Sequence, residues 1–337
     1  MKFLDDKALD RLRAADDTPD FTGTRYRLLF RVARGGMGVV YTAEDENLQR
    51  RVAVKVLDAA DTNGELSKRL LQEARVLAQL EHPGIVPVHD VGTLGDGRVF
   101  YTMKFVEGQR LDKFLAEVPA LPDRLRLFLR ICDAVAFAHT RGVLHRDLKP
   151  ANVMVGPFGE VLVMDWGLAK VLSIANEAAA ETVLQPPAGA RDENDATRVS
   201  VVTGHGTVMG TPGYMSPEQA RGDVGALDAR SDIFSLGALL RFVAKGSEAA
   251  DEQNLPNPLR AIFHKAMAEE PSHRYASVSD LTADVSRYLD GQPVLAYPEG
   301  MFERAARFYR RYQVAILLIA AYLFMRAVFL LLARPPR

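Results

Sequence analysis

A single cysteine, Cys132, stands in a chain of 337 residues. A disulfide within the chain is therefore excluded, and a reducing compartment is the simpler setting. The residue lies in an apolar helical run, which gives it the role of a small buried hydrophobe. An excess of charge of either sign is also missing, because 42 Lys+Arg face 43 Asp+Glu for a formal net charge of -1. No overall field draws such a chain to nucleic acid, and recognition must rest on local charge. The N-terminus, Met1-Lys2-Phe3-Leu4-Asp5-Asp6, is acidic and holds no continuous apolar run. No cleavable export signal is expected, which places the folded region in the cytoplasm. Internal repeats are absent too. What the chain does have is 48% hydrophobic residues, ample for a sizeable core and a two-lobed enzyme.

Residues 1–24 are polar and acidic and read as a mobile lead-in. From Tyr26 the pattern is of short strands: Tyr26 to Val32, Val39 to Asp45 and Arg51 to Leu57, with a glycine cluster between the first two. Leu66, Leu70, Ala74 and Leu77 recur at helical spacing up to Leu80, where His82-Pro83-Gly84 stops the run. Strands are then expected at Ile85 to Val91 and Arg98 to Phe105. Beyond Gly108 the character turns helical, with Asp123 to Thr140 apolar nearly all round. Two short strands, Val153 to Val155 and Val161 to Val163, flank the turn Gly156-Pro157-Phe158-Gly159. Residues 173–202 are rich in Ala, Glu, Asp and Pro and read as a flexible insertion. Helical patterning resumes at Asp228 and runs to Leu289. The fold class is thus α+β, with a strand-rich unit over 25–106 and a helix-rich unit over 107–290.

Ala33-Arg34-Gly35-Gly36-Met37-Gly38-Val39-Val40 lies between two strands, where glycines let backbone amides approach phosphate oxygens. A tight hairpin needs glycine for steric reasons alone, so this segment decides nothing by itself. Val52-Ala53-Val54-Lys55 places a lysine in an otherwise apolar strand, where an unpaired ammonium is costly to bury. It needs an anion, and Glu73 on the following helix can supply one.

The most specific string is His145-Arg146-Asp147-Leu148-Lys149-Pro150-Ala151-Asn152, followed by Asp165-Trp166-Gly167 and by Gly210-Thr211-Pro212-Gly213-Tyr214-Met215-Ser216-Pro217-Glu218. Together with the glycine loop, strand lysine and helix glutamate, these resemble the eukaryotic-type serine/threonine protein kinases of bacteria over about Tyr26 to Leu289. The resemblance implies a bilobal fold that transfers the γ-phosphate of ATP to serine or threonine, with Mg2+ as cofactor. It gives Asp147 the role of base and Lys149 that of neutralising the transferring phosphoryl group. Asn152 and Asp165 become the metal ligands. Nucleotide contacts fall to Ala33, Gly35, Gly36, Gly38, Val40, Ala53, Lys55, Glu73, Lys104 and Val106, with Met103 beside the adenine pocket. Glu218 is expected to pair with Arg274, Asp232 to brace the catalytic-loop backbone, and Arg146 to meet a phosphate in the activation segment. Thr207 and Thr203 are candidate phosphosites, and Thr211 is expected beside the substrate groove. Implied partners are proteins bearing Ser or Thr, and a second copy for autophosphorylation. The rival is a catalytically weak kinase-like scaffold.

Four departures are visible: Ala33 replaces the first loop glycine, Trp166 replaces a phenylalanine, the region between Phe242 and Leu259 is short, and the insertion over 173–202 is unusual. Near the C-terminus, residues 314–333 are apolar over about 20 residues apart from Arg326, roughly the length needed to cross a bilayer. Arg304, Arg307, Arg310 and Arg311, with Tyr309 and Tyr312, precede that run in a basic juxtamembrane segment, 291–313. One transmembrane helix is expected, in the inner membrane with the kinase unit on the cytoplasmic side.

Overall fold

A computed structural model describes residues 18–34, 38–57, 64–166, 170–171, 213–246, 251–298 and 300–332. The small lobe is an antiparallel sheet of β1 (Tyr26–Arg34), β2 (Val39–Asp45), β3 (Arg50–Val56), β4 (Val88–Thr93) and β5 (Val99–Lys104), in the order β1-β2-β3-β5-β4. Side chains alternate across it. Tyr41, Ala43, Val52, Val54, Val56 and Phe100 bury against one another on the outer face. Phe21 joins that cluster, its ring 5.0 Å from Phe100. This corrects the expectation of a loose lead-in for its last residues, because a buried aromatic fixes the chain before β1 begins. The helix α1 (Glu65–Ala78) turns Leu70, Ala74 and Leu77 inward, toward the core shared with the large lobe.

One strand is displaced from its expected place: β4 starts at Val88, not Ile85. Pro87 has no amide to give a ladder, and its carbonyl accepts instead from Lys104 N–H at 3.1 Å. Ile85 pairs with Val163 as an isolated parallel bridge, and Val163 N–H donates to Gly84 O at 2.8 Å. The segment expected to be the start of a strand thereby ties the small lobe to the large one.

The large lobe is organised on α2 (Leu121–Thr140), whose Leu125, Phe128, Ile131, Cys132 and Val135 are fully buried. It packs against α3 (Ala229–Lys245) and α5 (Val278–Leu289), with α4 (Asn257–Ala266) bridging those two. The helical pattern from Asp228 to Leu289 is therefore three helices. Gly246 ends α3 with φ 75°, a left-handed conformation suited to glycine, and Pro258 lies in the first turn of α4. Asp228 caps α3 by accepting from Arg230 N–H, and a Ser277–Asp280 capping box opens α5. Short strands β6 (Gln109–Arg110), β8 (Val153–Val155) and β9 (Val161–Val163) form one ribbon, and β7 (Val143–Leu144) pairs with β10 (Lys170–Val171).

Beyond α5 the chain folds back. Buried Asp284 accepts from Leu295 N–H at 2.8 Å, Ala296 N–H at 3.0 Å and the Tyr275 hydroxyl at 2.9 Å, while Val294 fills the core beside it. The helix α6 (Met301–Leu332) follows. Counted over the described residues, no helix is long and apolar enough to cross a membrane.

Candidate active site

The register of the small-lobe sheet assembles one wall of the cleft. Val40 stands opposite Lys55, Ala53 opposite Met103, and Lys55 opposite Tyr101, so these side chains share the inner face. Gly38 sits where β2 begins, and a Cβ there would meet Val56 O at 2.2 Å. Ala33 lies within β1 opposite Val40 and is not among the residues of positive φ. The substitution for glycine therefore carries no backbone strain. Gly35 and Gly36 lie outside the described residues, as do the 173–202 insertion and Thr203, Thr207 and Thr211.

The Lys55 ammonium, on a side chain 10% exposed, donates to Glu73 Oε1 at 2.8 Å and lies 3.7 Å from Asp165 Oδ1. A buried ammonium between two carboxylates is compensated, and it faces the cleft through the more open one. Lys104 is exposed and its N–H is committed to Pro87, while Val106 is half-buried. Two grooves meet at Lys104, Glu160 and Leu162 beside this connection between lobes, and neither is lined by Lys55 or Asp147.

The large lobe supplies the facing wall through the loop after β7. Asp147 Oδ2 accepts from Lys149 Nζ at 2.6 Å and from Asn152 Nδ2 at 3.1 Å, and Asn152 Nδ2 also reaches Asp147 O at 2.8 Å. The loop is held from behind. Asp232 accepts from His145 N–H and Arg146 N–H, each at 2.8 Å, and its Oδ2 is 2.8 Å from His139 Nε2. Burial pushes the Asp232 carboxyl up, but the His139 hydrogen bond and the surrounding donors outweigh it and hold the pKa below the usual carboxylate range. His145 is fully buried, and burial lowers its pKa. Its Nε2 faces Met164 O at 3.0 Å and its Nδ1 accepts from Asp147 N–H at 3.2 Å, which assigns a neutral ring carrying its proton on Nε2.

Arg146 and Asp165 adopt φ of 68° and 60°, uncommon for residues with a Cβ. Such conformations concentrate where a loop must aim functional groups. Arg146 Nε and Nη2 are buried with no hydrogen-bond partner among the described residues. Trp166 packs its ring 4.6 Å from His145 and donates Nε1–H to Val163 O at 3.3 Å, so the larger ring has both a packing partner and an acceptor.

Glu218 and Arg274 form the structural pair at the base of the site, with Arg274 Nη1 2.6 Å from Oε1 and Nη2 2.8 Å from Oε2. Burial raises the Glu218 pKa, but the Arg274 and Ser231 hydrogen bonds lower it further, to about 2. Ser216 is the N-cap of the short helical turn Pro217–Ala220, and Gln219 of that turn donates to Arg146 O at 2.7 Å. Sequence reasoning passed over His139, Gln219 and Ser231, whose partners are remote along the chain. It also missed Tyr101, although a tyrosine on the inward register of a buried strand signals a hydroxyl that needs a partner.

For a metal, the donors are oxygens. Asn152 has its Nδ2 committed to Asp147, which leaves Oδ1 as its ligating atom, and the Asp165 carboxylate is 55% exposed. Among the described residues no three His, Cys, Asp or Glu side chains form a metal cage. Two oxygen donors suit a hard cation that completes its shell with phosphate and water.

Comparison with known proteins agrees with this geometry. Residues 26–289 match the protein kinase domain model. A serine/threonine-protein kinase PknD from Chlamydia felis is 34% identical over 307 residues, covering 80% of this chain and 31% of the relative. The PknD of Chlamydia trachomatis serovar L2b is 35% identical over 304 residues, covering 80% of this chain and 32% of the relative. The chain thus spans about a third of the length of these curated relatives. Among solved structures, the Mycobacterium tuberculosis PknI kinase domain shares the fold with a TM-score of 0.54 at 24% identity, covering 80% of this chain and 98% of that one. With its motifs, its two lobes and these relatives, the chain belongs to the protein kinase domain family.

Proposed function

We propose that this domain is a serine/threonine protein kinase that transfers the γ-phosphate of ATP to hydroxyls of protein substrates. The observation that carries the reading is the Asp147–Lys149–Asn152 constellation, in which one carboxylate oxygen lies 2.6 Å from an ammonium and 3.1 Å from an amide nitrogen. Asp147 orients the acceptor hydroxyl and takes up its proton. Lys149, charged and beside it, offsets negative charge on the group in flight. Lys55, held by Glu73, fixes the α- and β-phosphates, and Val40 and Ala53 cover the adenine. Asp165 and Asn152 would hold Mg2+, which when bound neutralises phosphate charge.

The unpartnered nitrogens of Arg146 support a regulatory reading, in which a phosphate on Thr207 or Thr203 would supply acceptors for that guanidinium. A membrane-bound setting is proposed on separate grounds. The apolar run 314–333 falls largely within α6, where Leu317, Leu318, Ile319, Leu323 and Phe324 are exposed. Exposure of that many large apolar groups is costly in water and favourable in lipid. The basic segment before them favours the cytoplasmic side for the kinase unit.

The test is transfer of radiolabel from ATP to a generic protein acceptor with Mg2+. The full chain is expected to label serine or threonine, and Asp147→Asn to abolish labelling while retaining nucleotide affinity. Comparable turnover by the variant would reject the assignment of Asp147. Nucleotide binding by the parent without any transfer would favour the scaffold.

A further inference from the structure

β3 and β5 pair so that Lys55 stands directly opposite Tyr101, and directly opposed residues share a face. Both point from the sheet toward α1. The Tyr101 hydroxyl donates to Glu73 Oε1 at 2.7 Å, the same oxygen that accepts from Lys55 at 2.8 Å. The other carboxylate oxygen, Oε2, is buried and takes no hydrogen bond among the described residues. The Lys55 ammonium also lies 5.8 Å from the centroid of the Tyr101 ring. Tyr101 therefore touches both members of the ion pair.

Burial pushes the Tyr101 hydroxyl well above the usual phenol range, and the neighbouring Glu73 charge pushes it the same way, so the group stays protonated and is always a donor. A phenylalanine would fill this buried position as well. The hydroxyl is the part that packing does not need. Glu73 enters the site on a separate helix that packs on the sheet through Leu70, Ala74 and Leu77, and its carboxylate reaches the sheet side chains through one oxygen. Deleting a donor to a buried carboxylate costs more than an ordinary hydrogen bond, because the charge is left undercompensated.

We propose that Tyr101 is a positioning residue whose hydroxyl latches Glu73, and with it α1, in the place from which Glu73 holds Lys55. The catalytic consequence rests on the phosphotransfer reading above. The aim of Lys55 depends on where the carboxylate sits, and the latch fixes that carboxylate from the sheet.

The test is a double-mutant cycle on the full chain with Tyr101→Phe and Glu73→Ala, read first by amide hydrogen exchange of α1 without nucleotide and then by kcat/KM for ATP. Tyr101→Phe keeps the ring and removes the donor. It is expected to speed exchange across α1 and to lower kcat/KM, each by about tenfold. In the Glu73→Ala background the same change should add nothing further. Unchanged exchange in Tyr101→Phe, or equal increments in both backgrounds, overturns the latch and leaves Tyr101 a packing residue. A chain that transfers no phosphate but shows the coupled exchange effect upholds the latch and rejects only the phosphotransfer reading.

Discussion

Arg274 illustrates how a charge can be indispensable without being catalytic. Its guanidinium is spread over both oxygens of Glu218 and the carbonyls of Arg230, Ala268 and Glu269, so Arg274→Ala leaves a buried carboxylate with its principal counter-charge gone. Loss of about 3–5 kcal/mol in denaturant unfolding is the expected result. The same pair sets an acid limit. Glu218 has a folded pKa of about 2 against an ordinary 4.5, so its contribution is complete above about 4.5 and is lost as pH falls through about 2. Unfolding midpoints followed between pH 5 and pH 2, as on the order of the span between those values, should show this decline in the parent and a shallower one in Arg274→Ala. Residue proximity was legible where a motif fixes order along the chain: Lys55 lies beside Glu73 and Asp165, and Asp147 beside Lys149 and Asn152. Tyr101 and His139 were not, because their partners are set by strand register and helix packing, which a linear reading does not contain.

Among elements, the approach of β2 to β3 at Gly38 is tightly constrained. The 2.2 Å separation between a Cβ on Gly38 and Val56 O means that Gly38→Ala must displace the start of β2. The expected outcome is a loss of about 1–3 kcal/mol in stability together with weaker ATP binding, measured by thermal unfolding and nucleotide titration. Trp166→Phe offers a contrast. It deletes the Nε1 donor and part of a fully buried ring, so a stability loss of about 1–3 kcal/mol is expected, while ATP-dependent turnover per folded molecule stays within about threefold. Strands of alternating pattern were readable to within a residue or two at most ends. The start of β4 was not, since Ile85 and Val86 have the composition of a strand but Pro87 withholds the ladder amide. The long helical pattern to Leu289 was read as one region although Gly246, the Pro258 start of α4 and the Ser277 cap of α5 divide it.

At the scale of the molecule, two lobes share one continuous core, which takes in α1, itself packed on β4 and β5, together with residues of the large-lobe helices. Composition and the strand-then-helix order made that division legible. The standing of α6 is a question for fractionation: the full chain is expected in the membrane pellet and to resist extraction by alkaline carbonate, yielding to detergent. Recovery in the soluble fraction would reject the anchor. The clasp at Asp284 then acquires mechanical meaning. A slack tether would let the kinase unit swivel freely about its attachment, but here the main chain is gripped at Leu295 and Ala296, shortly before α6 starts at Met301. If α6 is anchored as proposed, a pull or a twist on it would reach the Asp284 carboxylate on α5 through those two amides, and that helix would be the lever between mooring and kinase unit.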